Sequence, residues 1–147
     1  MKAHIGVDMA SGLVHAVTTT PADTADVTQV EHLLHGKEKN VGGGDAGYTG
    51  ANKRDGLARR RLTWHIASKP GKLKAMPSGE LKDAMRYVEY LKAAVRAKVE
   101  HPFRVIKRQF GYTKVRYRGL AKNTGQVLTL FALSNMWMAR RRLLAMA

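Results

Sequence analysis

The apolar positions follow two different periods along the chain, one suited to strands and one to helices. Lys2 to Val7 and Leu13 to Thr19 are short β-compatible runs. They are bridged by Asp8-Met9-Ala10-Ser11-Gly12, whose Asp, Ser and Gly suit a hairpin turn. Pro21-Ala22-Asp23-Thr24 is a helix-start signal, and Val27, Val30, Leu33 and Leu34 then fall on one helical face that Gly36 would end. Five glycines lie between Val41 and Gly50, where the backbone can turn tightly or approach another group closely. A short helix over 51–60 and a strand over 62–67 follow, then a loop over 68–79 that holds Pro70, Gly71, Pro77 and Gly79.

From Glu80 the period is helical, with Leu81, Ala84, Met85, Val88, Leu91, Val95 and Val99 three or four residues apart. Pro102 suits a first helical turn better than a helix interior, so the pattern predicts a break there. A second helix then carries Phe103, Ile106 and Phe110 and stops at Gly111. Tyr112 to Leu120 reads as a basic, aromatic extended segment, and a last helix runs from about Thr124 to Leu144. Strands come first, with helices inserted and appended. The expected fold class is a mixed α/β arrangement in a single domain over residues 1–147.

Composition narrows the class of function. With 44% hydrophobic residues the chain is globular rather than a disordered tail. The absence of cysteine excludes disulfides, thiolate metal sites and a cysteine nucleophile, and it fits a reducing cytoplasm. No apolar run approaches the roughly 20 residues a bilayer requires. The charge is uneven: residues 1–50 sum to −3 and residues 51–147 to +18. So one-sided a field attracts a polyanion, and nucleic acid is the expected partner, with an anionic membrane surface as the rival.

Two acids stand apart. Asp45 follows a short strand and precedes Ala46-Gly47-Tyr48. Glu100 lies among the cations of Arg96 to Lys107. Taken alone, Asp45 reads as a turn-former beside glycines and Glu100 as an ion-pair partner, with metal ligation as the alternative for both. His32 and His35 are three apart on a helix with no third ligand near in sequence, which reads as a solvated face. Gly42-Gly43-Gly44 lacks the Gly-Lys-Ser/Thr of a nucleotide cradle. Trp64 and Trp137 read as core. Lys114, Arg116, Tyr117 and Arg118 alternate cations with an aromatic, as a backbone-phosphate contact or a solvated edge would. Arg140 to Arg142 either complement the dipole of the last helix or touch phosphate, two readings the sequence leaves open.

Longer stretches carry a resemblance. Asp45-Ala46-Gly47-Tyr48-Thr49-Gly50, the segment from Val95 to Gly111, Arg116-Tyr117-Arg118-Gly119-Leu120-Ala121-Lys122-Asn123 and the opening Ala3-His4-Ile5-Gly6-Val7-Asp8 resemble DDE transposases of bacterial insertion sequences, in the branch named after insertion sequence five. The resemblance implies an RNase H-like mixed sheet with flanking helices and a two-metal Mg²⁺ site. Asp45 matches the family's second acid, and Glu100 its third, through the Arg-x3-Glu-x6-Lys signature read as Arg96, Glu100 and Lys107. It implies DNA contact by Tyr48, Arg96, Lys107, Arg108, Lys114, Arg116 and Arg118, with insertion-sequence ends and target DNA as partners. A homodimer and a cytoplasmic, nucleoid-associated location are further expectations.

Departures from the family pattern matter as much. The family's first Asp lies upstream of the Lys2–Val7 segment, on a strand this sequence does not show, and Asp8 falls in the hairpin turn instead. Ala93 stands where the signature has Tyr. The expectation is therefore a C-terminal part of a catalytic domain that lacks its first strand and is inactive or nearly so by itself. A non-enzymatic, basic nucleic-acid-binding protein is the alternative.

Overall fold

The hairpin signal at the N-terminus produces an antiparallel pair of strands. In the computed structural model, which describes residues 1–42, 48–68 and 70–146, β1 (Lys2–Val7) pairs with β2 (Val14–Thr20). Asp8 makes the turn. Its carboxylate accepts the Ser11 N–H at 2.7 Å and the Ser11 hydroxyl at 2.6 Å, and Gly12 supplies a φ of +75° that a side chain would resist. The register slips by one residue between Gly6 and Val7, a bulge that leaves His15 exposed.

The described residues group into two compact units, Met1–Thr24 with Lys98–Ala147, and Ala25–Ala97. In the first, the hairpin packs on the C-terminal end of α4 (Glu80–Arg108) and on α5 (Leu120–Ala145). Ile5, Val14, Ile106, Val127 and Phe131 are buried together, with the Phe103 ring meeting Phe131 edge-on at 5.2 Å. Polar clasps tie the hairpin down. The Asn135 side chain accepts the Val14 N–H at 2.9 Å and donates to the Val14 carbonyl at 2.7 Å. The Thr19 and Thr124 hydroxyls meet at 2.6 Å, and the buried His4 ring lies 2.9 Å from the Thr20 hydroxyl.

The second unit is built of short elements around Val30, Ala51 and Leu57, with Tyr48, Leu62 and Trp64 packed against them. The helix expected after Pro21 reduces to a 3₁₀ turn at Asp26–Gln29 and the single turn α1 (Val30–Leu33). Neither has a side-chain cap, and Leu34 is already extended, so the costly helix nucleus is never repaid by length. Similarly, the expected 51–60 helix is interrupted at Arg54, whose extended backbone separates a 3₁₀ turn at Ala51–Lys53 from α2 (Asp55–Ala58). β3 (Asn40–Gly42) pairs in parallel with β4 (Thr63–His65).

Three expectations from the pattern are corrected. The 68–79 segment is not all loop: Pro70–Ala75 is α3, with Pro at its first position, where its missing N–H costs nothing. Pro102 does not break α4, which runs unbroken through it to Arg108. Pro102 is among the most deeply buried side chains, and burying its ring offsets the one helical hydrogen bond it removes. The extended segment expected over Tyr112 to Leu120 is irregular, with bends at Lys114 and over 117–119, and α5 starts at Leu120 rather than Thr124. The apolar face expected along α4 is also only half used, since Leu81, Val88 and Leu91 are exposed. Among the described residues, no helix is long and apolar enough to cross a membrane.

Candidate nucleic-acid interface

α4 positions the third acid of the signature. Glu100 is exposed, and helical geometry puts Lys107 about two turns along within roughly 20° of it, with Arg96 about one turn before on the same helix. Both cations are exposed as well. The spacing therefore does what the chemistry needs: one face of a helix offers a carboxylate with a cation on either side along the axis. Asp45, its expected companion, lies outside the described residues. Among the described residues, no group of three or more His, Asp or Glu side chains forms a metal cage. Asp8 is engaged in its own turn, where the Ser11 hydroxyl and N–H hold its carboxyl below the ordinary range.

Arg116, Tyr117 and Arg118 are exposed on the segment that leads into α5, and Lys114 is exposed just before them. Asn123 fixes their backbone. Its amide oxygen accepts the Tyr117 N–H at 3.1 Å, and its amide nitrogen donates to the carbonyls of Tyr117 and Gly119, each at 2.6 Å. Gly119 itself sits at φ +88° and ψ +154°, a region that only glycine occupies readily. Asn123 is a residue that motif reading missed as a positioning group. The signal was present in the Arg-Tyr-Arg-Gly-x3-Asn spacing, which places one amide a helical turn past the loop it holds.

The remaining expected contacts are spread out. Tyr48 is half-buried against the Val30–Leu57 cluster of the second unit. Arg108 is turned about 80° around α4 from Glu100, onto a groove of the first unit lined also by Lys98, Arg104, Trp137 and Arg140. Trp64 packs against its unit's core, as expected. Trp137 does not become core: it is 39% exposed, with the Arg140 guanidinium 4.3 Å above its ring and Phe110 edge-on at 6.5 Å. His32 and His35 are both exposed, and His35 lies 3.4 Å from Glu38.

The elements and the charge define a mixed α/β protein whose basic faces suit a polyanion. The class is given more closely by the family model of the transposase DDE domain, which matches residues 1–136. The chain belongs to that family, which acts on DNA in transposition and generally uses divalent metal. No solved structure matches the chain.

Proposed function

We propose that this chain carries an RNase H-like catalytic domain of an insertion-sequence transposase, in the branch named after insertion sequence five. The single observation that carries the reading is the match over residues 1–136 together with Glu100 displayed between Arg96 and Lys107 on one face of α4. An antiparallel hairpin followed in sequence by a parallel strand pair supports the RNase H-like assignment.

Asp45 and Glu100 are the residues that would hold Mg²⁺. Both offer hard carboxylate oxygens, the donor type that ion prefers. Bound there, Mg²⁺ supplies activation of the attacking hydroxyl and charge stabilisation at phosphorus. Arg96 and Lys107 would position the scissile phosphate by charge. The exposed Lys114, Arg116 and Arg118 would grip the strand beyond it, on a loop that Asn123 keeps in one conformation. With two carboxylates instead of three, paired ions would be under-neutralised, so the 147 residues alone are expected to bind DNA and cleave it poorly or not at all.

The test is a plasmid-nicking assay in Mg²⁺, with the purified chain and its Asp45→Asn and Glu100→Gln variants. Vigorous nicking that survives both substitutions sinks the two-acid site. The second reading, a non-enzymatic DNA binder, is favoured by the cationic groove around Arg108. It would stand alone if the carboxylates proved indifferent to metal.

A further inference from the structure

The groove of the first unit has a volume of about 670 Å³ and is walled by the Ala10–Gly12 turn of the hairpin, one side of α4 and the Trp137–Arg140 turn of α5. Lys98, Arg104, Arg108 and Arg140 all line it, and none of the described lining residues is acidic. Among the described residues, neither Arg104 nor Arg108 makes an ion pair or a side-chain hydrogen bond. Among the described residues, Lys98 donates to the Met9 carbonyl at 3.3 Å and Arg140 to the Trp137 carbonyl at 2.6 Å, neither of them a carboxylate. Four like charges drawn to one concavity without a counter-charge repel one another, and an anion in the groove relieves that repulsion.

The dimensions favour a chain of anions over a single one. Lys98 to Arg108 spans about 15 Å of helix, against about 3.4 Å of rise per phosphate on one DNA strand. The aromatic floor argues against base reading. One face of Trp137 is covered by Arg140 and Phe110 meets the ring edge-to-face, so the indole is already engaged by the protein's own side chains. We propose that this groove is a sequence-independent track for the DNA sugar-phosphate backbone, running beside Glu100 with Arg104 about 40° and Arg108 about 80° around α4 from it, and working without divalent metal. The proposal takes DNA as the partner from the proposed function but not its cleavage chemistry.

The experiment is fluorescence anisotropy of two labelled duplexes of unrelated sequence, about 24 base pairs each, in EDTA and over about 50 to 200 mM salt. Relative to the unmodified chain, the double variant Arg104→Gln/Arg108→Gln should bind both duplexes about equally weakly, with a salt slope shallower by nearly two, at ~0.9 per phosphate contact. Lys53→Gln/Lys72→Gln carries the same charge change on the other unit and should leave the slope unaltered. Arg104→Lys/Arg108→Lys should retain it, and this charge-conserving pair guards against misfolding of the Gln variant.

In a Trp64→Phe chain, Trp137 is the only tryptophan, and its emission should change on saturation with duplex. An unaltered slope in the Gln variant, an equal loss in the Lys53/Lys72 control, or silent Trp137 emission each overturns the proposal. So does equally Arg104/Arg108-dependent binding to phosphatidylserine vesicles, or binding that appears only with Mg²⁺. Because every binding arm is run in EDTA, loss of the metal reading would leave this result untouched, and the reverse.

Discussion

Asn123 clasps Tyr117 through both of its backbone groups, accepting its N–H at 3.1 Å and donating to its carbonyl at 2.6 Å. One buried amide thereby stands in for a missing strand partner and sets the conformation of the exposed Arg116-Tyr117-Arg118 loop. Asn123→Ala removes three hydrogen bonds at a buried position and should cost about 2–3 kcal/mol. Urea denaturation checks this. Gly119→Ala should cost about 1–3 kcal/mol by strain alone, since nothing crowds the added methyl.

The clasp between Asn135 and Val14 predicts a local effect of a different kind. Val14 sits where the hairpin register slips, and the Asn135 amide pairs with both its N–H and its carbonyl. Asn135→Leu should destabilise by about 1–3 kcal/mol, the cost of leaving such groups unpaired. In native-state hydrogen exchange the Val14 amide should lose protection by more than its neighbours. A uniform loss along β2 would mean that Asn135 acts through general packing.

How much of this was legible follows from where the information lies. The hairpin was readable because Asp8, Ser11 and Gly12 carry the turn chemistry locally. The long helices were readable because their periodicity spans many turns. Pro102 misled because proline's local preference for a first turn is overridden by tertiary burial, which no local pattern reveals. Tyr112 to Leu120 reads as an extended segment from its alternation, yet the backbone at Tyr117 and Gly119 is held by a side chain rather than by a partner strand. Arg96, Glu100 and Lys107 were legible as a spaced signature, but Glu100 and Lys107 share a face only because α4 runs unbroken through Pro102, where the pattern predicts a break. The groove was not legible, because it joins a hairpin turn, the C-terminal end of α4 and the Trp137–Arg140 turn of α5, which are distant in sequence.

Core packing gives a third expectation. Phe131 is 1% exposed and contacts Phe103 in an edge-to-face pair within the cluster that joins the hairpin to both helices. Phe131→Ala should cost about 3–5 kcal/mol. Phe131→Leu should cost much less by keeping most of the volume, with a thermal melt sufficient to rank them.

Acid should weaken the second unit specifically. Burial raises the Glu38 carboxyl, but N–H groups at Glu38, His35 and Gly36 outweigh it and leave the value below the ordinary 4.5. Arg60 lies 3.0 Å away. Glu89 is shifted the same way: burial raises it, and Lys92 and the Ser68 N–H lower it further than burial lifts it. Both carboxylates are more acidic folded than unfolded. Their contribution is therefore complete above 4.5 and lost as pH falls through their folded values. Melting temperature should drop on acidification below that point. Glu38→Gln should start lower and show a flatter acid limb, whereas an unchanged limb would assign the acid sensitivity to other groups.

Metal binding offers a readout that needs no catalysis. A cation that binds the folded chain alone raises its stability by RT ln(1 + [L]/Kd), about 1.4 kcal/mol at ten times Kd, which is a shift of roughly 3–6 °C for a chain this size. If Asp45 and Glu100 share Mg²⁺, the unmodified chain should show that rise and lose it in EDTA. Asp45→Asn and Glu100→Gln should each abolish it, because a hard cation held by two carboxylates binds far more weakly to one. DNA affinity in EDTA should meanwhile be retained or slightly improved in both variants, since each removes a negative charge from a site that phosphate approaches. A full Mg²⁺ shift in Glu100→Gln would exclude that residue as a ligand. Loss of DNA affinity in the same variant would instead make Glu100 an ion-pair partner that orients the cations along α4.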